Sequence, residues 1–317
     1  MVTEYSFDRI NYQGSPSDLV TQICDDFKIG QLQFYLVPPM GYEDLNVALR
    51  TSEGEFFAKI FASSRDEADV RRYITTMEKV LNARITHPAL YLAPDGTYLH
   101  EIPINNSPLR MVLMQFIDGG TILEGGRILT NQERQQLIQQ TALINSLGYK
   151  PKPVYDSWAI VNFLAEFERK RHTLAPGEEN VIGRVADQFN QVCLTDLPQA
   201  FVHGDIRSSN AMRNTQGELY VIDFAVANWQ PRIVELAVLL SELFFNPDHP
   251  QKTFDWVTSE YQKYAQLMPE EIALLPLFIQ VGHAMNLLGA SFEKAAGNTS
   301  KENNTWLQFG RNGLGLL

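Results

Sequence analysis

Cysteine is nearly missing from this chain. Cys24 and Cys193 are the only two in 317 residues, far apart and without the close spacing of metal ligands. No disulfide framework is implied, and the expected compartment is a reducing cytoplasm. Histidine is sparse as well: His87, His100, His172, His203, His249 and His283 include no His-x-His pair, which argues against the histidine-rich metal centre of a phosphoesterase. Positive charge is in deficit, with 26 Lys and Arg against 37 Asp and Glu and a net charge of -11. That balance removes the basic face on which nucleic acid or an anionic membrane would settle. It suits a cationic or neutral small molecule, although solubility alone also accounts for it. Long apolar runs are absent too. The stretch 233–245 is broken by Glu235 and Glu242, and 272–290 by Pro276, Gln280 and His283, so neither is expected to span a membrane. The first fourteen residues carry Glu4, Asp8 and Arg9 and lack the apolar centre of a signal peptide. Neither an internal repeat nor a low-complexity tract is present.

What remains is an ordinary globular composition, 44% hydrophobic and 20% charged, in a length that suits two lobes. A first helix capped at Ser15 or Ser17 is predicted to run to Gly30. Strands are expected at 31–37, 46–51 and 55–61, the last two joined through Ser52-Glu53-Gly54, and a helix near Ser64 carries Val70, Ile74, Met77 and Leu81 at helical spacing. The run Met111-Val112-Leu113-Met114-Gln115-Phe116-Ile117 reads as a buried strand ending at Asp118-Gly119-Gly120. Beyond it the pattern turns helical, at 131–147, 158–172, 183–193, 232–245, 254–265 and 269–290, with Lys150-Pro151-Lys152-Pro153 and Ala175-Pro176-Gly177 as loops. The change sets the expected lobes at 1–117 and 118–317.

The chemistry concentrates in one segment. Phe201-Val202 opens a loop carrying His203-Gly204-Asp205-Ile206-Arg207 and Asn210, and Asp223 of Val221-Ile222-Asp223-Phe224 emerges where an apolar strand meets solvent. Such a layout can hold Mg2+ between Asn210 and Asp223 while Asp205 orients a hydroxyl, the division of labour seen in protein kinases. In spacing and residue type the motif resembles that of the aminoglycoside phosphotransferase and choline kinase superfamily of small-molecule kinases. The resemblance implies an α+β, bilobal protein-kinase-like fold, with a small antiparallel-sheet N-lobe holding one main helix and a larger, mainly helical C-lobe. It further implies ATP, Mg2+ and a small-molecule hydroxyl acceptor, such as an aminoglycoside, homoserine or choline, without choosing among them.

The resemblance assigns residues in turn. Asp205 becomes the catalytic base and Arg207 its companion, set either to steady charge on the transferring phosphate or to form a surface salt bridge. Asn210 and Asp223 become the Mg2+ ligands. Lys59, alone in the apolar run Phe56-Phe57-Ala58-Lys59-Ile60-Phe61, needs an anion nearby and takes the phosphate-gripping role, with Glu67 and Glu78 as open candidates for its partner. Asn46, at the end of the hairpin Pro39-Met40-Gly41-Tyr42-Glu43-Asp44-Leu45-Asn46, and Gln115 and Ile117 are assigned to the nucleotide. His203 is expected to hold the loop, and Glu235, where the family pattern carries Asp, to brace it. Asp156 with Trp158, and His283 with Asn286, are candidates to line the acceptor site, against a core role for each. A nucleotide-binding pseudokinase stays as the alternative. Oligomeric state and the choice between ATP and GTP are open.

Overall fold

The computed structural model describes residues 4–38, 44–104, 108–126 and 128–316. Most of the hairpin expected to cover the nucleotide, residues 39–43, therefore lies outside the described residues. The chain divides into two compact units, Met1–Gly119 and Gly120–Leu317, where the change of pattern had suggested 117/118.

The first unit opens with a 3-10 turn (Glu4–Ile10) and helix α1 (Pro16–Phe27), which starts with Pro at its first turn and stops at Lys28 in a left-handed conformation. Strands β1 (Leu32–Leu36), β2 (Leu45–Thr51) and β3 (Gly54–Ile60) come next, then helix α2 (Glu67–Asn82) and strands β4 (Leu90–Tyr91), β5 (His100–Ile102) and β6 (Leu109–Gln115). The sheet order is β1-β2-β3-β6-β4, with β5 also on β6, and its described pairings are antiparallel.

Paired residues share a face, so register sorts the side chains. Phe56, Ala58 and Ile60 of β3 line up with Leu49, Val47 and Leu45 of β2, and Met111 and Leu113 of β6 join them. This face packs on Phe7, Ile10, Leu19, Val20 and Ile23 as the core of the unit. The opposite face carries Lys59 with its partners Asn46 and Val112, and Phe57 with Ala48 and Met114. Alternation alone thus turns Lys59 away from the α1 core.

Strand β7 (Gly119–Thr121) spans the boundary, and the second unit continues through α3 (Asn131–Ser146), α4 (Phe163–Lys170) and α5 (Pro176–Phe189). Strands β8 (Gln199–Val202), β9 (Ala211–Asn214), β10 (Leu219–Val221) and β11 (Asn228–Pro231) follow, then α6 (Ile233–Ser241), α7 (Pro250–Tyr261), α8 (Pro269–Ala295) and α9 (Lys301–Gly313). The strands form two small sheets, ordered β10-β9-β7 and β11-β8. Helix α8 is long and apolar enough to cross a membrane by length and composition alone. Val281 through Ser291 are buried all round it, and it packs on α5, α6 and α9, the arrangement of a central core helix.

Three expectations need correction. Ala175-Pro176-Gly177 is no loop: Pro176 opens α5, where its missing N–H costs nothing and its fixed φ suits the first turn. The helix expected at 158–172 is α4 flanked by 3-10 turns at Ile160–Asn162 and Arg171–Thr173. Helix α2 does not start at Ser64 but is capped by Asp66, whose side chain accepts from the Asp69 N–H at 2.7 Å.

Candidate active site

The loop between β8 and β9 is built around His203 and Glu235, both wholly buried. His203 Nε2 donates to the carbonyl of Ile222 at 2.9 Å, and its Nδ1 accepts the N–H of Asp205 at 3.2 Å. One ring thereby ties the loop to the segment that ends at Asp223. Burial lowers the His203 pKa to about 4, which keeps the ring neutral with one donor and one acceptor. Both ring nitrogens are occupied in holding the loop. Glu235, in the first turn of α6, accepts the backbone N–H of His203 at 2.5 Å and that of Gly204 at 3.2 Å. Burial pushes its pKa up to about 8, against those two bonds. Gly204 stands at φ +80°, and a Cβ there would meet Gln230 Nε2 at 3.4 Å; a side chain would be strained before it was crowded.

These supports hold Asp205, whose side chain is 32% exposed. Its Oδ1 accepts from Arg207 Nε and its Oδ2 from Asn210 Nδ2, each at 2.6 Å. Burial raises the Asp205 pKa and the nearby Asp223 carboxylate adds to the rise, while Arg207 and Asn210 act against it. Each oxygen keeps a lone pair for a third partner. Asn210 Nδ2 also donates to the Asp205 carbonyl at 3.0 Å, so the nitrogen is spent within the loop and Oδ1 is the atom left to meet a cation.

Arg207 is no surface residue: it is 8% exposed. Its Nη1 donates to Asn286 Oδ1 of α8 at 2.6 Å, and its guanidinium lies over the Trp306 ring of α9 at 5.3 Å. Ser208 is fastened beside it, with its N–H and hydroxyl on the Glu242 carboxylate at 2.9 and 2.7 Å. Neither Trp306 nor Glu242 was singled out by the sequence, and α9 was not expected at all. Ser300 as cap, with Trp306, Leu307 and Gly310 at helical spacing, was the available signal.

Asp223 adopts φ +65°, a left-handed conformation that a non-glycine residue rarely takes. Phe224 behind it is buried, stacked parallel to Phe201 at 6.4 Å and 4.3 Å from the His203 ring. The donor set suits Mg2+, one carboxylate and one amide oxygen, which asks for phosphate oxygens to complete it. Among the described residues no group of three or more His, Cys, Asp or Glu side chains could hold a metal.

Next to the loop lies the segment 156–158. Asp156 Oδ1 accepts from the Trp158 N–H at 2.9 Å. Burial and the charge of Asp205 raise the Asp156 pKa to about 6, opposed by Trp158 N–H, Arg207 and Lys170. Lys170 pins the segment by donating to the Ser157 carbonyl at 3.1 Å, and the buried Glu166 pairs with Lys170 at 2.8 Å. The Trp158 ring fills the space over Gly289, where a Cβ would sit 2.5 Å from it. Asn286, one turn earlier on α8, is wholly buried and its Nδ2 has no partner among the described residues. His283 is different: it packs against Phe245 at 4.6 Å and against Gly313, and belongs to the core between α8 and α9.

In the first unit, Lys59 pairs with Asp44, Nζ to Oδ2 at 3.3 Å. Glu67 instead pairs with Arg71 and Arg110, and Glu78 forms no ion pair among the described residues. Asn46, opposite Lys59, carries a buried Oδ1 without a partner among the described residues. Gln115 lies in register with Phe56, on the face away from Lys59, and its Oε1 accepts from the Ala89 N–H at 3.2 Å. Ile117, just past β6, is 6% exposed. The sequence also passed over Leu36, Ala48 and Phe57, which register places on the Lys59 face and which stay open or half-buried.

Fold and site together define a small-molecule kinase of protein-kinase-like architecture. The family model described as Phosphotransferase enzyme family (APH) matches residues 36–264, and the chain belongs to that family. Homoserine kinase of Methylorubrum populi is 24% identical over 286 residues, covering 87% of this chain and 85% of that protein. Homoserine kinase of Methylobacterium nodulans is 22% identical over 277 residues, covering 85% and 83%. Among solved structures, an amicoumacin kinase in complex with AMP-PNP, Ca2+ and Ami superposes with a TM-score of 0.66 at 13% identity, covering 95% of this chain and 94% of that one. A microcompartment-associated aminopropanol kinase gives 0.65 at 13% identity, covering 94% and 95%. At such identity these structures speak for the fold alone.

Proposed function

We propose that the protein transfers the γ-phosphate of ATP to the hydroxyl of a small amino alcohol, with homoserine the first compound to test. The observation that carries this reading is the fixing of Asp205 between Arg207 and Asn210 with part of its carboxylate still open. An acceptor hydroxyl there would give its proton to Asp205, whose raised pKa makes it a better base than an ordinary aspartate. Arg207 holds that carboxylate in place and offsets its charge. Asn210 Oδ1 and Asp223 would hold Mg2+, which supplies charge neutralisation for the phosphates. Lys59 would bind phosphate oxygens, with Asn46 beside it, and Leu36, Ala48 and Phe57 would give the base an apolar surface. Catalysis is then mostly positioning.

The amino group of the acceptor is assigned to Asp156, the carboxylate that feels both Asp205 and Arg207. The unpartnered Nδ2 of Asn286 offers a donor to an oxygen of the same molecule. Homoserine kinases among the sequence relatives and an aminopropanol kinase among the structural neighbours agree with that chemistry.

The test is ADP release, with and without Mg2+, across homoserine, choline, aminopropanol, neutral sugars and aminoglycosides. Turnover of an amino alcohol and not of neutral sugars is expected. Mg2+-dependent binding of ATP without turnover of any amino alcohol would overturn the acceptor assignment, and absence of Mg2+-dependent ATP binding in folded protein would overturn the nucleotide site.

A further inference from the structure

A buried ammonium must be matched by an anion, and for Lys59 a match comes from the residue that leads into a strand. Asp44 immediately precedes β2, and β2 runs antiparallel to β3, so Asp44 lies beside the end of β3 where Lys59 and Ile60 pair with Asn46 and Leu45. The side chains of Lys59 and Asp44 are 9% and 3% exposed, with Nζ and Oδ2 3.3 Å apart. The other oxygen of Asp44 is fixed from two sides, by the Ala62 N–H at 3.1 Å and by Arg65 Nε at 2.8 Å. Helix α2 presents an aromatic ring at this place: Tyr73, its centroid 5.1 Å from Lys59 Nζ and its edge on Phe61.

We infer that Asp44 is the positioning residue that sets Lys59 for the nucleotide phosphates, in the role a helix glutamate plays in other kinases. This rests on the reading of Lys59 as the phosphate-binding lysine. Its consequence is mechanical. Asp44, Lys59 and Ala62 belong to one hairpin and its exit, so the lysine stays aligned however α2 moves. A carboxylate on the helix would make that alignment depend on the helix.

The experiment is acylation of Lys59 by an amine-reactive ester, followed by mass spectrometry on nucleotide-free protein, alongside steady-state kinetics. Asp44→Asn should raise the acylation rate of Lys59 severalfold, because the neighbouring anion no longer favours the charged amine. It should also raise KM for ATP tenfold or more with a smaller change in kcat, and Asp44→Glu should recover part of both. Arg65→Gln, which removes the other ion pair of Asp44, should leave Lys59 labelling near wild type. Glu67→Gln and Glu78→Gln should change neither readout. Unaltered labelling in folded Asp44→Asn overturns the proposal; so does an equal effect from Glu67→Gln or Glu78→Gln, a comparison that stands even if the Asp44 variants fail to fold. Protection of wild-type Lys59 by ATP and Mg2+ is read separately. Its absence would remove the phosphate role while leaving the Asp44 pairing to be judged on the nucleotide-free labelling.

Discussion

Asn286 of α8 accepts a 2.6 Å hydrogen bond from Arg207, joining the central helix of the second unit to the residue that holds Asp205. Arg207 is thus anchored at three places, on Asp205, on Asn286 and over Trp306. An arginine so restrained has little freedom to reach elsewhere, which favours its part as the companion of Asp205.

Replacing Asp205 by Asn keeps the shape of the side chain and removes the proposed base. Turnover should fall by roughly 10²- to 10⁴-fold, with ATP affinity close to wild type because Asn210 and Asp223 are untouched. Near-normal turnover in folded Asp205→Asn would show that the proton leaves by another route.

Glu235→Asp restores the residue type of the family pattern, yet it should harm this chain. The carboxylate would withdraw from the N–H groups of His203 and Gly204, and leaving buried donors unmet costs about 1–3 kcal/mol. Chemical denaturation measures the loss; a variant as stable as wild type would mean that α6 shifts to follow the shorter side chain.

Gly289→Ala tests the coupling of α8 to the acceptor side. The new methyl meets the Trp158 ring and should displace 156–158, raising KM for the acceptor more than KM for ATP. Equal effects on both substrates would argue for general unfolding.

The pH dependence of stability has a stated sign. Burial lowers the pKa of His203 and of His283 to about 4, below the value of about 6.5 in an unfolded chain. The unfolded state binds more protons between those values, so this stability is complete above about pH 6.5 and is lost as pH falls toward 4. Glu235, raised to about 8, acts oppositely: its contribution is full below about pH 4.5 and is lost as pH rises through 8. His283 lies outside the catalytic loop, so His283→Gln isolates one histidine. Between pH 7 and 5 the variant should lose less stability than wild type, by about 2 kcal/mol; urea unfolding at the two pH values reads the difference.

The sequence brought out the candidate catalytic loop because its chemistry is contiguous: His203, Asp205, Arg207 and Asn210 are neighbours, and Asp223 follows one short hairpin later. The strands around Lys59 were legible for a similar reason, since alternation set its face. Contacts made across distance were hidden. Asp44 meets Lys59 only through the antiparallel register of β2 on β3, and two glutamates on α2 looked equally suitable until Tyr73 proved to be the residue facing the lysine. Asn286 and Trp306 reach Arg207 from helices far along the chain, and no local pattern marks them. At Pro176 the same residue type that ends helices began one, which only the dihedral context decides.

Asp223 at φ +65° has a consequence for stability as well as for chemistry. A left-handed residue with a side chain costs the fold about 1 kcal/mol that glycine would return, so Asp223→Gly should melt a little higher while losing its Mg2+-dependent response to ATP. The same left-handed turn recurs at Asn11, Lys28 and Arg84, so the melting gain reads backbone strain alone and only the lost response to ATP reads the carboxylate.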